Sequence, residues 1–398
     1  MGSPWEVLRV AGRLGLTSFG GPIAHLGYFR REYVERRRWL DERQYGDLVS
    51  LCQLLPGPAS SQLGIAIGML RAGFLGGLFA WLGFTVPSAL ALVAFAYVLQ
   101  AFHLVSAPWL HGLLVVTVAV VAQAVWAMAR SLAPDAPRAT VALAAAALAL
   151  VWPTAAGQLT VIAAGALVGA LLLPSPPPEA AAEVSTVPGW ERIGRGTGAV
   201  LIAAFFALLL GMPLVLGLWR SQALALFDAF YQAGALVFGG GHVVLPLLQR
   251  AVVPQGWVSN GAFLAGYGAA QAVPGPLFSF AAYLGFVVRP APNGPLGAAL
   301  ALSGIYLPSF LLLTGILPFW EQIRRLGAVR RMLRGVNAAV VGLLLAALYH
   351  PVWTSAIRGP TDLALALGAF ALLQIWRVPP WIVVVAAAAA SGLLGAHL

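Results

Sequence analysis

The chain has 398 residues, 60% of them hydrophobic and 9% charged, with a formal net charge of +10 and a single cysteine, Cys52. A soluble chain of this length carries roughly a quarter charged residues, so a water-soluble fold is excluded. Windows such as 74–101, 139–173, 198–218 and 378–396 are almost free of charge and require a bilayer. One cysteine rules out an intramolecular disulfide and a cysteine-based metal cluster. The positive charge is carried by arginine, without any lysine, and is gathered in short loops between apolar segments. That distribution orients a membrane protein and does not mark a nucleic-acid surface.

The first apolar segment, 5–28, contains Arg9 and Arg13 and no small-residue cleavage site, so it is read as retained. It is interrupted by Phe19-Gly20-Gly21-Pro22. A basic loop over 30–43 follows, with Arg30, Arg31, Arg36, Arg37, Arg38 and Arg43. Segment 45–70 has Gln53-Leu54-Leu55-Pro56-Gly57-Pro58 near its centre. Segments 74–101, 109–131, 139–153 and 157–173 complete a first repeat, 1–173. The stretch 174–197, which opens Pro-Ser-Pro-Pro-Pro and carries Glu179, Glu183 and Glu191, reads as a solvated linker. A single linking transmembrane helix is expected over 198–218.

The pattern then restarts as a second repeat, 219–398. Segment 222–248 is interrupted by Phe238-Gly239-Gly240-Gly241, and 262–288 is centred on Gln271-Ala272-Val273-Pro274-Gly275-Pro276. Segments 294–318, 329–350, 362–375 and 379–396 follow. Trp39 and Trp257 each stand 14 residues before the glutamine, and Gly76, Gly83, Pro87 and Ser88 match Gly297, Gly304, Pro308 and Ser309. The offset is 218–221 residues throughout, the mark of an internal duplication.

Arginine placement predicts how the halves are oriented. Loop 30–43 is strongly basic and belongs to the cytoplasm, whereas its counterpart, 250–260, carries only Arg250. The halves are therefore expected to be inverted. A second basic loop, 319–334, with Arg324, Arg325, Arg330, Arg331 and Arg334, also belongs to the cytoplasm. Two full crossings from 250–260 would return the chain to the outside, so one of the intervening segments does not cross. Pro274 and Pro276 lack amide donors and clash with the preceding turn, which splits 262–288 into two half-length pieces. The expected architecture is an all-α polytopic membrane protein: two inverted-topology repeats joined by an odd linking helix, with broken or re-entrant helices at the Pro-Gly-Pro and Phe-Gly-Gly positions. Kinked helices that span fully are the rival reading.

Non-helical backbone at membrane depth is tolerated only where it is buried in protein or lines a cavity, so the breaks are the candidate substrate site. A helix resuming after Pro58 or Pro276 offers free amides and a positive dipole end to an anion. Ser60, Ser61 and Ser279 lie in those first turns, with Gly57 and Gly275 inside the tripeptides and Gln53 and Gln271 just before them. The glycine breaks add Ser18, Gly20 and Gly21 in one half and Gly240 and Gly241 in the other. His25 and His242 follow closely, as ligands, proton relays or structural residues. No nucleotide loop, metal-ligand spacing or catalytic carboxylate pair stands out, so neither an enzyme, a cofactor nor a metal is expected.

These residues resemble the chromate ion transporter family, in its long-chain, two-domain form. The resemblance rests on Leu16-Thr-Ser-Phe-Gly-Gly-Pro22, the run from Arg30 to Leu40, Cys52-Gln-Leu-Leu-Pro-Gly-Pro58, Phe238-Gly-Gly-Gly-His242 and Gln271-Ala-Val-Pro-Gly-Pro276. It implies a secondary transporter that exports chromate, with sulfate as a competing analogue. The second half departs from the first: its break has three glycines and it lacks the arginine cluster. An inside-negative potential favours outward movement of a dianion, so potential-driven export is the expected mechanism. Uptake of sulfate or another oxyanion by cation symport is the alternative, and a membrane scaffold or lipid-handling protein is a third reading. The expected partners are chromate or a sulfate-like oxyanion, the lipid bilayer and a second copy in a homodimer, with no nucleic acid. The expected location is the plasma membrane of a bacterium or archaeon.

Overall fold

The computed structural model describes residues 2–102, 108–174, 194–238 and 241–395, and every regular element within them is helical. The first repeat contains α1 (Pro4–Thr17), α2 (Gly21–Phe29), α3 (Glu42–Leu54), α4 (Ala59–Ala101), α5 (Pro108–Leu132), α6 (Ala136–Val151) and α7 (Ala155–Leu172). After α8 (Arg195–Leu218), the second repeat contains α9 (Gln222–Leu236), α10 (Val244–Val252), α11 (Asn260–Ala272), α12 (Phe280–Val287) and α13 (Gly294–Ile316). It continues with α14 (Trp320–Arg325), α15 (Gly327–Ala347), the single turn α16 (Thr354–Ala356), α17 (Pro360–Gln374) and α18 (Pro380–Gly395). Five helices among the described residues are long and apolar enough to cross a membrane, and several shorter apolar helices accompany them. Most of the stretch read as a linker, 175–193, lies outside the described residues.

Helix ends follow local chemistry. Asp41 and Gln44 form a reciprocal capping box at the start of α3, with bonds of 2.8 and 3.1 Å. Asp135, Thr154, Ser221 and Ser259 cap α6, α7, α9 and α11 through their side-chain oxygens. Both Pro-Gly-Pro tripeptides interrupt the helix: α3 stops at Leu54 and α11 at Ala272, and the chain resumes at Ala59 and Leu277. Helices also end just before the glycine breaks, α1 at Thr17 and α9 at Leu236.

Small residues then let the broken pieces pack closely. Within α4 the backbone leaves helical geometry at Ala72 and Gly73, and the arm 59–71 folds back along 74–101. Gly68 there lies directly against the Gly76 backbone, with Ala80 beside it. In the second repeat Gly285 of α12 lies against Gly297 of α13, with Ala301 beside it. A side chain at any of these glycines would drive the helices apart. The same duplication governs the outer helix of each repeat. Gly83 packs on the Leu8 carbonyl and Ala11 of α1, and Gly304 packs on the Phe227 carbonyl and Phe230 of α9.

The later helices of the two halves interlock. Gly165 and Gly169 of α7 meet Gly335 of α15, Ala142 of α6 meets Gly342 of α15, and Gly112 of α5 meets Ala387 of α18. By contrast, α8 touches the rest through Gly198 against Gly315 and Phe205 against Tyr231, and leaves Val200, Leu210, Leu214 and Leu218 exposed. An apolar face of that kind belongs against lipid.

The basic loop after α2 is ordered by charge. The Glu32 carboxylate, largely buried, accepts from Arg37 at 2.6 Å and from Arg36 at 3.1 Å. Burial raises the cost of its charge, but the two guanidiniums prevail and hold its pKa below the ordinary carboxylate value. Arg37 and Arg71 also reach Glu6, and their guanidiniums lie over the Trp39 ring at 5.6 and 5.0 Å.

Candidate functional site

The two Pro-Gly-Pro breaks are satisfied by exchange between the halves. The Gly57 amide donates to the Val237 carbonyl at 2.7 Å, and the Gly275 amide donates to the Ser18 carbonyl at 3.0 Å. Val237 and Ser18 are counterparts within the 218–221 offset of the duplication, so each tripeptide is tied to the other repeat's glycine break. Both glycines have left-handed backbone, with φ of 122° and 102°, which a residue bearing a Cβ adopts only with strain. A second exchange accompanies the first. A Cβ on Gly57 would meet Ser309 Oγ at 2.6 Å, and one on Gly275 would meet the counterpart, Ser88 Oγ, at 2.9 Å.

Around the Gly275 break the exchange encloses a cavity of about 60 Å³. A buried water needs roughly 10–15 Å³ by this measure, so there is room for a few waters or one small polyatomic ion. The lining draws on both repeats: Gly20, Gly21, Val120 and Gln123 from the first, and His242, Ala270, Gln271, Val273, Gly275, Leu277 and Pro380 from the second. No lining residue is acidic or a permanent cation.

Four helical segments begin at this cavity. Gly21 opens α2, Leu277 opens the turn that leads into α12, Pro380 opens α18, and His242 lies in the short turn before α10. The N-termini of α2 and α18, which stand on the cavity wall, carry the positive ends of their dipoles, up to about half an elementary charge. The C-terminal end of α11, at Ala270 and Gln271, opposes them from one side. The wall thus combines helix N-termini with neutral polar groups and carries no formal charge.

The structure sorts the residues expected from sequence. Gly20, Gly21, His242, Gln271 and Gly275 share the cavity wall. A Cβ on Gly21 would be 4.0 Å from His242 Nε2, so the two glycine breaks face each other across it. His242 Nδ1 pairs with the Tyr267 hydroxyl at 2.8 Å, and the Gln271 side chain lies against the same hydroxyl. His25 is buried apart from the cavity wall. Its Nε2 lies 3.2 Å from the Ser18 carbonyl and its Nδ1 3.3 Å from Ser60 Oγ. The carbonyl only accepts, so it fixes the proton on Nε2 and leaves Nδ1 to accept from Ser60.

Ser279 donates back to the Pro276 carbonyl at 2.7 Å, satisfying its own break. Ser18 is buried with an unpartnered hydroxyl, Ser61 is buried with its hydroxyl against that of Tyr306, and Gly241 is buried at the start of its turn. Gln53 is exposed and does not reach the cavity. Gly240 lies outside the described residues. Gln123 and Pro380, on the wall, come from segments that sequence reading treated only as spans. Gln123 is a polar residue in an otherwise apolar stretch, which is the signal that could have found it.

A polytopic helical protein with broken helices around a buried polar pocket has the architecture of a membrane transporter. The sequence comparisons give the family. The chromate transporter profile matches residues 5–170 and again 224–393, and the chain belongs to that family. It is 30% identical over 400 residues to the chromate transport protein of Pseudomonas aeruginosa, covering 96% of this chain and 89% of that one. A probable chromate transport protein of Synechococcus elongatus is 30% identical over 388 residues, covering 95% and 92%. The chromate transport protein of Cupriavidus metallidurans is 28% identical over 392 residues, covering 96% and 90%. No solved structure matches the chain.

Proposed function

We propose that this protein exports chromate, a divalent tetrahedral oxyanion, across the plasma membrane, driven by the membrane potential. The observation that carries the reading is the convergence of helix N-termini on a cavity whose wall has no charged side chain. Such a pocket attracts a dianion without the tight charge pairing that would trap it. Family membership and the names of its relatives support chromate as the cargo. In this reading Gly20, Gly21, His242, Gln271 and Gly275 hold the ion. Ser18, His25, Gly57, Ser60, Ser61, Gly241 and Ser279 shape the breaks around it, and Gln53 and Gly240 complete the duplicated set.

The energetics favour export. Outward movement of two negative charges gains roughly 4.6 kcal/mol per 100 mV, from about 2.3 per charge. At about 1.4 kcal/mol per decade, that supports roughly three decades of concentration ratio. The reciprocal contacts of Gly57 and Gly275 support two repeats of opposite topology, with loops 30–43 and 319–334 in the cytoplasm. The Pro-Gly-Pro breaks then enter from opposite faces toward the midplane, and rocking of the repeats opens the pocket to each side in turn. A homodimer is the proposed assembly.

The test is flux in proteoliposomes containing the whole chain, with chromate or sulfate inside and a potential imposed in either sign. Chromate efflux that accelerates when the sign favours anion exit is expected, with sulfate competing. Flux indifferent to the imposed potential rules out potential-driven export. Sulfate movement that requires a cation gradient favours symport instead.

A further inference from the structure

His242 stands on the cavity wall, and its two ring nitrogens have different surroundings. Nδ1 meets the Tyr267 hydroxyl at 2.8 Å, while Nε2 faces the opposite glycine break, 4.0 Å from where a Gly21 Cβ would be. Tyr267 is not on the wall. It is fully buried, with its ring edge-on to Phe280 at 5.7 Å. The Gln271 side chain, one helical turn along α11, lies against the same hydroxyl.

A phenol has one proton to give. Imidazole is a stronger base than an amide carbonyl, and a phenol is a stronger acid than a neutral imidazole N–H, so that proton goes to Nδ1. The hydroxyl oxygen then accepts from the Gln271 amide. With Nδ1 accepting, the single ring proton of a neutral His242 sits on Nε2. The first repeat builds the same tautomer: His25 Nδ1 accepts from the Ser60 hydroxyl, and its Nε2 proton is taken by the Ser18 carbonyl. For His242, no hydrogen bond among the described residues engages Nε2, and that nitrogen looks toward Gly21, which shares the cavity wall. We propose that Tyr267 is a positioning residue: it holds the His242 proton on Nε2, so that the imidazole presents an N–H to a tetrahedral dianion in the cavity. This assignment rests on the oxyanion-transport reading above and deepens it. The opposite tautomer would aim a lone pair at the ion. Fixing the proton through a buried tyrosine sets the donor in place before the ion arrives.

The tautomer is read directly by nitrogen NMR of the whole chain in lipid nanodiscs, with isotope-labelled histidine. The His242 signals are those that vanish in His242→Gln. A protonated Nε2 and a bare Nδ1 are expected in the wild-type chain, and a mixture of tautomers in Tyr267→Phe, which keeps the ring against Phe280. In proteoliposomes, Tyr267→Phe should raise the chromate concentration for half-maximal flux about ten-fold, the scale of one hydrogen bond to a charged ligand. Its maximal rate should stay within about two-fold, and sulfate competition should weaken in parallel. His242→Gln removes the imidazole, so adding Tyr267→Phe to it should change the half-maximal concentration by less than about two-fold. A wild-type spectrum with the proton on Nδ1 overturns the assignment, as does an unchanged half-maximal concentration in Tyr267→Phe. A Tyr267→Phe penalty as large in the His242→Gln background as alone also overturns it, because the tyrosine would then act through packing. A wild-type chain that neither binds nor moves either dianion overturns the transport reading, and the donor's role with it, whatever tautomer the spectrum shows.

Discussion

Gly57 and Gly275 sit 218 residues apart in sequence, yet each donates its amide to the repeat in which the other resides. Each of these glycines also faces a serine of the opposite repeat, Ser309 or Ser88. The duplicated tripeptides are thus two halves of one exchanged contact, not independent kinks.

Alanine at either glycine is expected to be severe. The left-handed backbone costs about 1–2 kcal/mol for an L side chain, and the methyl group adds overpacking of roughly 1–3 kcal/mol. Gly57→Ala should be the worse, because its methyl group would meet Gln62 as well as Ser309. Thermal unfolding in detergent should show a loss of about 2–5 kcal/mol, and a wild-type transition would contradict the need for this backbone.

The two glutamines before the tripeptides should behave differently despite their matched positions. Gln271 lines the cavity, whereas Gln53 is exposed. Gln271→Ala is expected to raise the chromate concentration for half-maximal flux about ten-fold, the loss of one hydrogen bond to a charged ligand. Gln53→Ala should remain within two-fold. Equal defects in both would place the ion elsewhere.

Valine at Gly285 should prevent α12 from lying against α13, since a Cβ there would sit on the Gly297 backbone. Valine at Gly68 should do the same to the fold-back in α4. Both variants are expected to lose monodisperse behaviour on size exclusion, whereas alanine at Gly211, where nothing lies within 4 Å, should be silent.

Glu32 gives a pH signature. Its folded pKa lies below the ordinary value of 4.5, so its contribution to stability is complete above that value and is lost as pH falls through the lowered one. Glu32→Gln should therefore be less stable near neutrality by roughly 1–3 kcal/mol, the scale of hydrogen bonds to a charged group. The difference should shrink toward zero as the medium is acidified. Parallel unfolding curves for the two proteins down to about pH 3 would show that Arg36 and Arg37 do not depend on this carboxylate.

Much of this was legible in the sequence because the signals act on the backbone. Pro56, Pro58, Pro274 and Pro276 remove amide donors, so helix ends at those places follow from chemistry alone. The glycine breaks and the class of protein were legible for the same kind of reason. Which break meets which was not. Sequence pairs Gly57 with Gly275 as equals, but says nothing of Gly57 reaching Val237, a contact fixed by packing between distant segments. Gln123 escaped notice although its polarity stands out in an apolar stretch, because the pattern of a spanning segment does not reveal which face turns inward. Ser88 and Ser309 were visible only as markers of the repeat.

The exchanged bonds also impose an order on synthesis. When the first tripeptide leaves the ribosome, its partner at Val237 has yet to be made, and Ser18 must wait still longer for Gly275. At about 5–20 residues per second, translating the 218 residues between the two glycines takes roughly 10–40 s. Through that interval the first half sits in the membrane with its broken backbone uncommitted, open to water, lipid or a chaperone.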